Sequence, residues 1–248
     1  AGQPTAALES LEQAMEQSLI EKGGYQKGDP KGFDPARALF PAEVIAFIKA
    51  SQPARWQQLV KLHGEKAEEV LLGSLVKELA SKTALHVLRH GFKCYGKTFR
   101  LAFFAPNTGM NPEAAEAYGH NRLRVTRQVH FSETHPKKSL DMVLSVNGLP
   151  VVTLELKNPM TGQTVDDAMA QYKNDRDPGE PIFRFKERAL VHFALDPDQA
   201  FMTTRLTGAS TWFLPFNRGH NHGAGNPPSD GGSYRTSYLW ERVLTRDS

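Results

Sequence analysis

The sequence predicts an α/β or α+β chain in which a helical N-terminal third precedes a sheet with one inserted helix. Three observations carry this. Up to Gly91, apolar residues recur at helical spacing. Beyond it, short apolar runs with strand character alternate with turn residues. Hydrophobic residues make up 40% of the 248 positions, enough to build a core and to set aside a disordered chain.

Taken in order, residues 5–22 read as a helix, with Leu8, Leu11, Met15, Leu19 and Ile20 on its apolar side and Gly23-Gly24 as its stop. Residues 25–40 read as loop. Pro41 suits the first position of a helix over 42–50, and Pro53 opens another through Leu62. Residues 65–90 form the longest helical pattern, ended by Gly91. Strands are predicted over 99–104, 123–131, 140–146 and 151–157, a helix over 165–175, and two further strands over 189–195 and 200–206. The segment Asp196-Pro197-Asp198-Gln199 reads as the turn between the last two. Residues 211–216 form a short apolar piece, and 217–233, rich in Gly, Asn and Pro, a loop.

Several classes of protein are excluded. Apolar runs such as Leu149–Leu156 are too short to span a bilayer, so no membrane partner is expected. One cysteine, Cys94, permits neither an internal disulfide nor a Cys-rich zinc site and fits a reducing, cytoplasmic setting. A phosphate loop ending in Gly-Lys-Ser/Thr is absent, so ATP is not expected to bind by that route. Thirty basic residues against 27 acidic ones leave a net charge of +3, which permits a nucleic-acid partner without requiring one. The chain begins Ala1-Gly2 and stops just after an apolar, helix-like stretch at 238–244. It is therefore read as a piece of a longer polypeptide.

Residues 139–158, SLDMVLSVNGLPVVTLELKN, are two apolar strands around the turn signal Asn147-Gly148, interrupted by Asp141, Glu155 and Lys157. Glu155 and Lys157 share one side of their strand. Charges in an apolar strand are costly unless paired or bound to a metal. Two carboxylates are hard ligands for Mg²⁺, and the backbone carbonyl of Leu156 is a further hard oxygen. A lysine beside the metal can position or deprotonate a water, or stabilise a pentavalent phosphorus. A bare Glu-x-Lys is usually a surface pair. Here the apolar flanks, the acid on the preceding strand and the hairpin shift the balance toward phosphodiester hydrolysis. The register sets a condition. A two-residue Asn147-Gly148 loop in regular register pairs Val146 with Leu149 and Asp141 with Leu154, pointing Asp141 away from Glu155. The chemistry therefore demands an odd loop or a bulge.

The Asp141…Glu155-Leu156-Lys157 hairpin resembles the PD-(D/E)xK nuclease superfamily. More narrowly, LEQAMEQSLIEKGGY (11–25), LDMVLSVNGLPVVTLELKNP (140–159), DDAMAQYKNDR (166–176), ALVHFALDPDQAFMTTRL (189–206) and FLPFNRG (213–219) resemble the N-terminal nuclease region of the restriction (motor) subunit of type I restriction-modification enzymes. SYLWERVLTRDS (237–248) resembles the junction that precedes the motor. The resemblance implies a restriction-endonuclease-like mixed β-sheet flanked by helices, with a helical N-terminal portion over 1–90, a nuclease core over 91–236 and the start of a junction over 237–248. It implies Asp141 and Glu155 as metal ligands and Lys157 as the catalytic lysine. Glu12 matches a supporting acid on the family's first helix, though it reads equally as a solvated glutamate beside Glu9 and Glu16. The family's Gln and Tyr, four apart on the helix after the hairpin, map to Ala168 and Tyr172. Gln171 is the nearest glutamine, and helix neighbours diverge by about 100°. Leu140 stands where the family has Pro. The implied partners are double-stranded DNA, a helicase-like motor region of the same polypeptide, and the specificity and methylation subunits. Mg²⁺ is the implied cofactor, with ATP needed only by the motor. The rival reading is a catalytically inactive DNA-clamping or motor-docking module of the same fold. A nuclease acting on RNA or single strands is a third.

Arg122, Arg124, Arg127, Lys137 and Lys138 form a basic strip leading toward the hairpin, read either as a phosphate contact or as a charged edge strand. His220 and His222 lie two apart in the Gly-rich loop, where solvation is favoured over metal binding. Trp56, Trp212 and Trp240 read as core or interdomain contacts.

Overall fold

The computed structural model describes residues 10–106, 111–158, 162–229 and 234–247. Helix α1 (Leu11–Glu21) starts at a capping box, where the Ser10 side chain and Gln13 satisfy each other's backbone donors. A two-residue strand β1 (Gln26–Lys27) follows, inside the stretch expected to be loop. Helices α2 (Pro41–Ser51) and α3 (Pro53–His63) each begin at a proline, whose missing N–H costs nothing there.

The long helix expected over 65–90 is two helices, α4 (Ala67–Lys82) and α5 (Ala84–His90). The break is Thr83, whose φ of +118° cannot continue a helix and whose hydroxyl caps α5 by accepting from the His86 amide.

The strand expected over 99–104 is also corrected. A small hairpin of β2 (Phe92–Cys94) and β3 (Lys97–Phe99) comes first, turning through Tyr95 and Gly96. The chain beyond it then runs without a ladder, because side chains take its backbone donors: Arg100 N–H donates to Gln52 Oε1 and Phe103 N–H to Asn121 Oδ1. Helix α6 (Pro112–Gly119) was not expected. It buries none of its residues, so no apolar period announces it.

Strands β4 (Leu123–His130), β5 (Ser139–Val146) and β6 (Leu149–Leu156) lead into helix α7 (Val165–Asn174), then β7 (Val191–Leu195), β8 (Ala200–Thr203) and β9 (Leu214–Pro215). They make one mixed sheet in the order β1-β4-β5-β6-β7-β8-β9. The pairs β1/β4 and β6/β7 are parallel, and the others antiparallel. Helix α7 is the crossover between parallel β6 and β7. Asp196, in the expected turn, fixes both ends of that unit: one oxygen accepts from the Val165 amide at the start of α7, the other from the amides of Asp198 and Gln199.

The sheet separates two packing layers. On one face Met142, Leu144, Leu154 and Leu156 pack with Leu11, Met15 and Leu19 of α1 and with Trp240 of a π-helical turn at Leu239–Val243. On the other, Val143 and Ala194 pack with Val165, Ala168 and Tyr172 of α7. A third apolar cluster joins α2, α4, α5, β2 and β3 and reaches the sheet through Leu149. Burying each such side chain fully contributes about 1.5–3 kcal/mol. Among the described residues no helix is long and apolar enough to cross a membrane.

Candidate active site

The β5–β6 hairpin turns through Asn147 and Gly148, with φ values of +51° and +85°, the left-handed pair that two-residue hairpins favour. Only glycine fits the second position. A Cβ there would lie 2.6 Å from the Phe40 carbonyl oxygen and 2.7 Å from a Val44 methyl. Asn147 is fully buried: its Oδ1 accepts from the Arg122 amide, and its Nδ2 donates to the Leu101 carbonyl and to Asn121 Oδ1.

The loop has two residues, so the register condition falls on the strands, and a bulge meets it. Val146 pairs with Leu149 and Ser145 with Pro150, but Leu144 pairs with Val152, leaving Val151 extra. Pro150 has no N–H for a ladder, and bulges are where central strands tolerate proline. Beyond the bulge Met142 pairs with Leu154, which sets Asp141 against Glu155 on the α7 face.

There Asp141 Oδ2 accepts from the Leu156 amide at 2.7 Å. In a strand the N–H and C=O of one residue point to the same neighbour, so the Leu156 carbonyl shares the Asp141 side. Glu155 is fully buried. Its Oε1 accepts from Arg176 Nε at 2.6 Å, and its Oε2 has no hydrogen-bond partner. Burial, and then the adjacent Asp141 charge, push the Glu155 carboxyl up to about 8, against the opposing pull of Arg176. A cation between two such carboxylates offsets their mutual repulsion. The unpartnered buried oxygen beside a second carboxylate fits a divalent ion. Among the described residues no three His, Cys, Asp or Glu side chains converge, so the rest of such a shell would come from the Leu156 carbonyl, water and substrate.

Lys157 follows Glu155 by two residues and is partly buried. Its amide extends the parallel pairing by donating to the Leu195 carbonyl, and no ion pair engages its side chain among the described residues. Tyr172 is buried behind the site. Its hydroxyl bonds Thr153 Oγ1, which in turn bonds His192 Nδ1 at 2.7 Å. Burial takes the His192 imidazole down to about 3, so it stays neutral at working pH. Gln171, the residue before Tyr172, is partly exposed, while Ala168 is packed in the core.

Other expected site residues lie apart. Glu12 sits on α1, across the sheet from α7, with its carboxylate bound to Arg127 at 2.8 and 3.1 Å. Arg127 also reaches Glu16 at 3.5 Å, so two acids share its guanidinium. Arg122 and Arg124 flank the hairpin turn and face Glu43. Arg124 is opposite Ser145, four residues from Asp141, which is about 13 Å along a strand. Lys137 and Lys138 belong to the loop entering β5, near Asp141, and Lys138 Nζ donates to the Asp175 carbonyl. His220 and His222 are exposed. Trp240 and Cys94 are buried, Trp56 packs on the helical core, and Trp212 is 78% exposed.

Three buried residues behind the carboxylates escaped sequence reasoning: Arg176, Thr153 and His192. Arg176 falls inside a family-like stretch, but within Asn174-Asp175-Arg176-Asp177 it reads as a solvated charge.

The mixed sheet, its flanking helices and the carboxylate hairpin define a restriction-endonuclease-like α/β fold. The chain belongs to the family of the type I restriction enzyme R protein N terminus, whose model matches residues 9–211. No match was found among the curated proteins.

Proposed function

We propose that this N-terminal region of a type I restriction enzyme R subunit is its Mg²⁺-dependent endonuclease and hydrolyses phosphodiester bonds of double-stranded DNA. The observation that carries the reading is the paired placement of Asp141 and Glu155, brought together by the Val151 bulge, with one buried Glu155 oxygen left without a partner. Asp141, Glu155 Oε2 and the Leu156 carbonyl would hold the ion. Bound there, Mg²⁺ supplies a more acidic water and offsets charge on the phosphoryl oxygens. Lys157, two residues on, orients the attacking water and stabilises the pentavalent state. Lys137 and Lys138 meet the DNA backbone at the entrance to the site. Neutral His192 and Tyr172 hold the Glu155 strand against α7 through Thr153 and do not touch substrate.

A net charge of +3 provides little sequence-independent DNA affinity. The nuclease therefore depends on a helicase-like motor and on specificity and methylation subunits to deliver DNA to it. The experiment is plasmid cleavage by the assembled enzyme carrying Lys157→Ala or Asp141→Asn, with DNA binding and ATP hydrolysis measured alongside. Cleavage falls on the order of a hundred- to a thousand-fold while the other two activities persist. Near wild-type nicking by either variant would refute the assignment and favour the inactive clamping module.

A further inference from the structure

Arg176 has a buried environment that an ordinary helix-terminal arginine lacks. It lies just past the end of α7, with its side chain 3% exposed. Its Nε donates to Glu155 Oε1 at 2.6 Å, and a terminal nitrogen donates to the Ser139 carbonyl at 2.8 Å. Its guanidinium carbon is 5.2 Å from the centre of the Phe131 ring. Glu155 is on β6, and Ser139 opens β5 two residues before Asp141. A single planar cation therefore ties together the two strands that carry the carboxylates. It also occupies one Glu155 oxygen and leaves the other, Oε2, without a partner.

We propose that Arg176 is a positioning residue that makes Glu155 a one-oxygen metal ligand and so selects a small octahedral ion over Ca²⁺. The inference rests on the metal site proposed above. The physical argument is ligand denticity. Ca²⁺ takes six to eight oxygens at about 2.3–2.6 Å and readily accepts both oxygens of one carboxylate. Mg²⁺ demands near-ideal octahedral geometry at about 2.0–2.1 Å and takes one oxygen from each of few carboxylates, keeping several waters. With one lone pair of Oε1 engaged by Arg176, the two-oxygen mode of Glu155 is weakened relative to ligation through Oε2 alone. The second bond, to Ser139, limits how far the strands can separate to admit a larger ion. A guanidinium suits this double task because its donors are fixed in one plane, whereas a lysine ammonium is a single flexible point charge.

The test measures metal affinity without turnover. Mn²⁺, the spin-active octahedral probe, is titrated by paramagnetic resonance, and Ca²⁺ by calorimetry, into the wild-type chain, Arg176→Met, Arg176→Lys and Glu155→Gln. Thermal melts run in parallel. The expected result is that Arg176→Met shifts the Mn²⁺-to-Ca²⁺ affinity ratio toward Ca²⁺ by at least about tenfold, equivalent to about 1.4 kcal/mol, with Arg176→Lys in between. If Arg176→Met fails to fold, Arg176→Lys carries the test, and a ratio equal to wild type overturns the inference. If both Arg176 variants keep the wild-type ratio while Glu155→Gln loses Mn²⁺, the metal site stands and the role of Arg176 falls. If Glu155→Gln binds Mn²⁺ as wild type does, the metal site and the inference fall together.

Discussion

The two ends of the β5–β6 hairpin bury polar side chains in opposite ways. At the turn, Asn147 is completely buried, and its amide makes three side-chain hydrogen bonds, to Arg122, Leu101 and Asn121. At the open end, Glu155 is equally buried but keeps an oxygen unbonded. A buried neutral amide with its partners in place stabilises a fold. A buried carboxylate with an oxygen to spare carries a penalty of several kcal/mol that only a ligand or a proton relieves. One hairpin thus separates architecture from chemistry along about 20 Å of strand.

The largest effect that would break this contrast is at the turn. Gly148→Val combines a left-handed φ with a clash against Phe40 and Val44, each costing about 1–3 kcal/mol. Urea denaturation should show a loss of about 3 kcal/mol or more, and a loss near zero would mean the turn is not locked on α2. Asn147→Ala should cost about 2 kcal/mol through its stranded partners and leave Mn²⁺ affinity unchanged.

The open end is sharpened by pH. In chelator-treated protein the Glu155 carboxyl is raised from 4.5 to about 8. A raised carboxyl favours the folded state below its unfolded value and forfeits that contribution as pH climbs toward its folded value. The melting temperature of Glu155→Gln minus that of wild type should therefore rise between pH 5 and pH 8. A flat difference would show that Glu155 is not held in this environment. The smallest effect is expected at Glu12, whose carboxylate is committed to Arg127. Glu12→Gln should change stability by less than about 1 kcal/mol, with cleavage little altered. A Glu12→Gln enzyme as inactive as Lys157→Ala would show that α1 does serve the site.

Much of this was legible in the sequence. Apolar spacing marked α1, the prolines at 41 and 53 marked the starts of α2 and α3, and apolar runs between turn residues marked the five central strands. The hairpin register followed from side-chain alternation together with the requirement that Asp141 and Glu155 share a face: a two-residue turn cannot align them unless an extra residue intervenes, and Val151 is that residue. What stayed hidden depends on tertiary contacts. Thr83 breaks a helix whose apolar pattern runs through it unbroken. Residues 99–104 look like a strand, but Arg100 and Phe103 satisfy their amides on Gln52 and Asn121. Helix α6 buries nothing, and Arg176 looks solvated until Glu155 is seen beside it. The acids beside the basic strip were also hidden: Arg122 and Arg124 share Glu43, and Arg127 meets Glu12 and Glu16, all far from them in sequence.

The bonds that assemble the site are short in sequence. Asp141 to Leu156 spans 15 residues, Glu155 to Arg176 spans 21, and Ser139 to Arg176 spans 37. Some contacts that join distant parts of the molecule are far longer: Arg37 to Arg188 spans 151 and Tyr118 to Asp247 spans 129. Because closing a loop becomes entropically harder with its length, the hairpin, α7 and Arg176 are placed to order before those distant contacts close during refolding. The carboxylate pair would then take shape before the N-terminal helices dock around Gly148. In pulse-labelled hydrogen exchange, the amides of β5, β6 and α7 should gain protection ahead of those in α2 and β1.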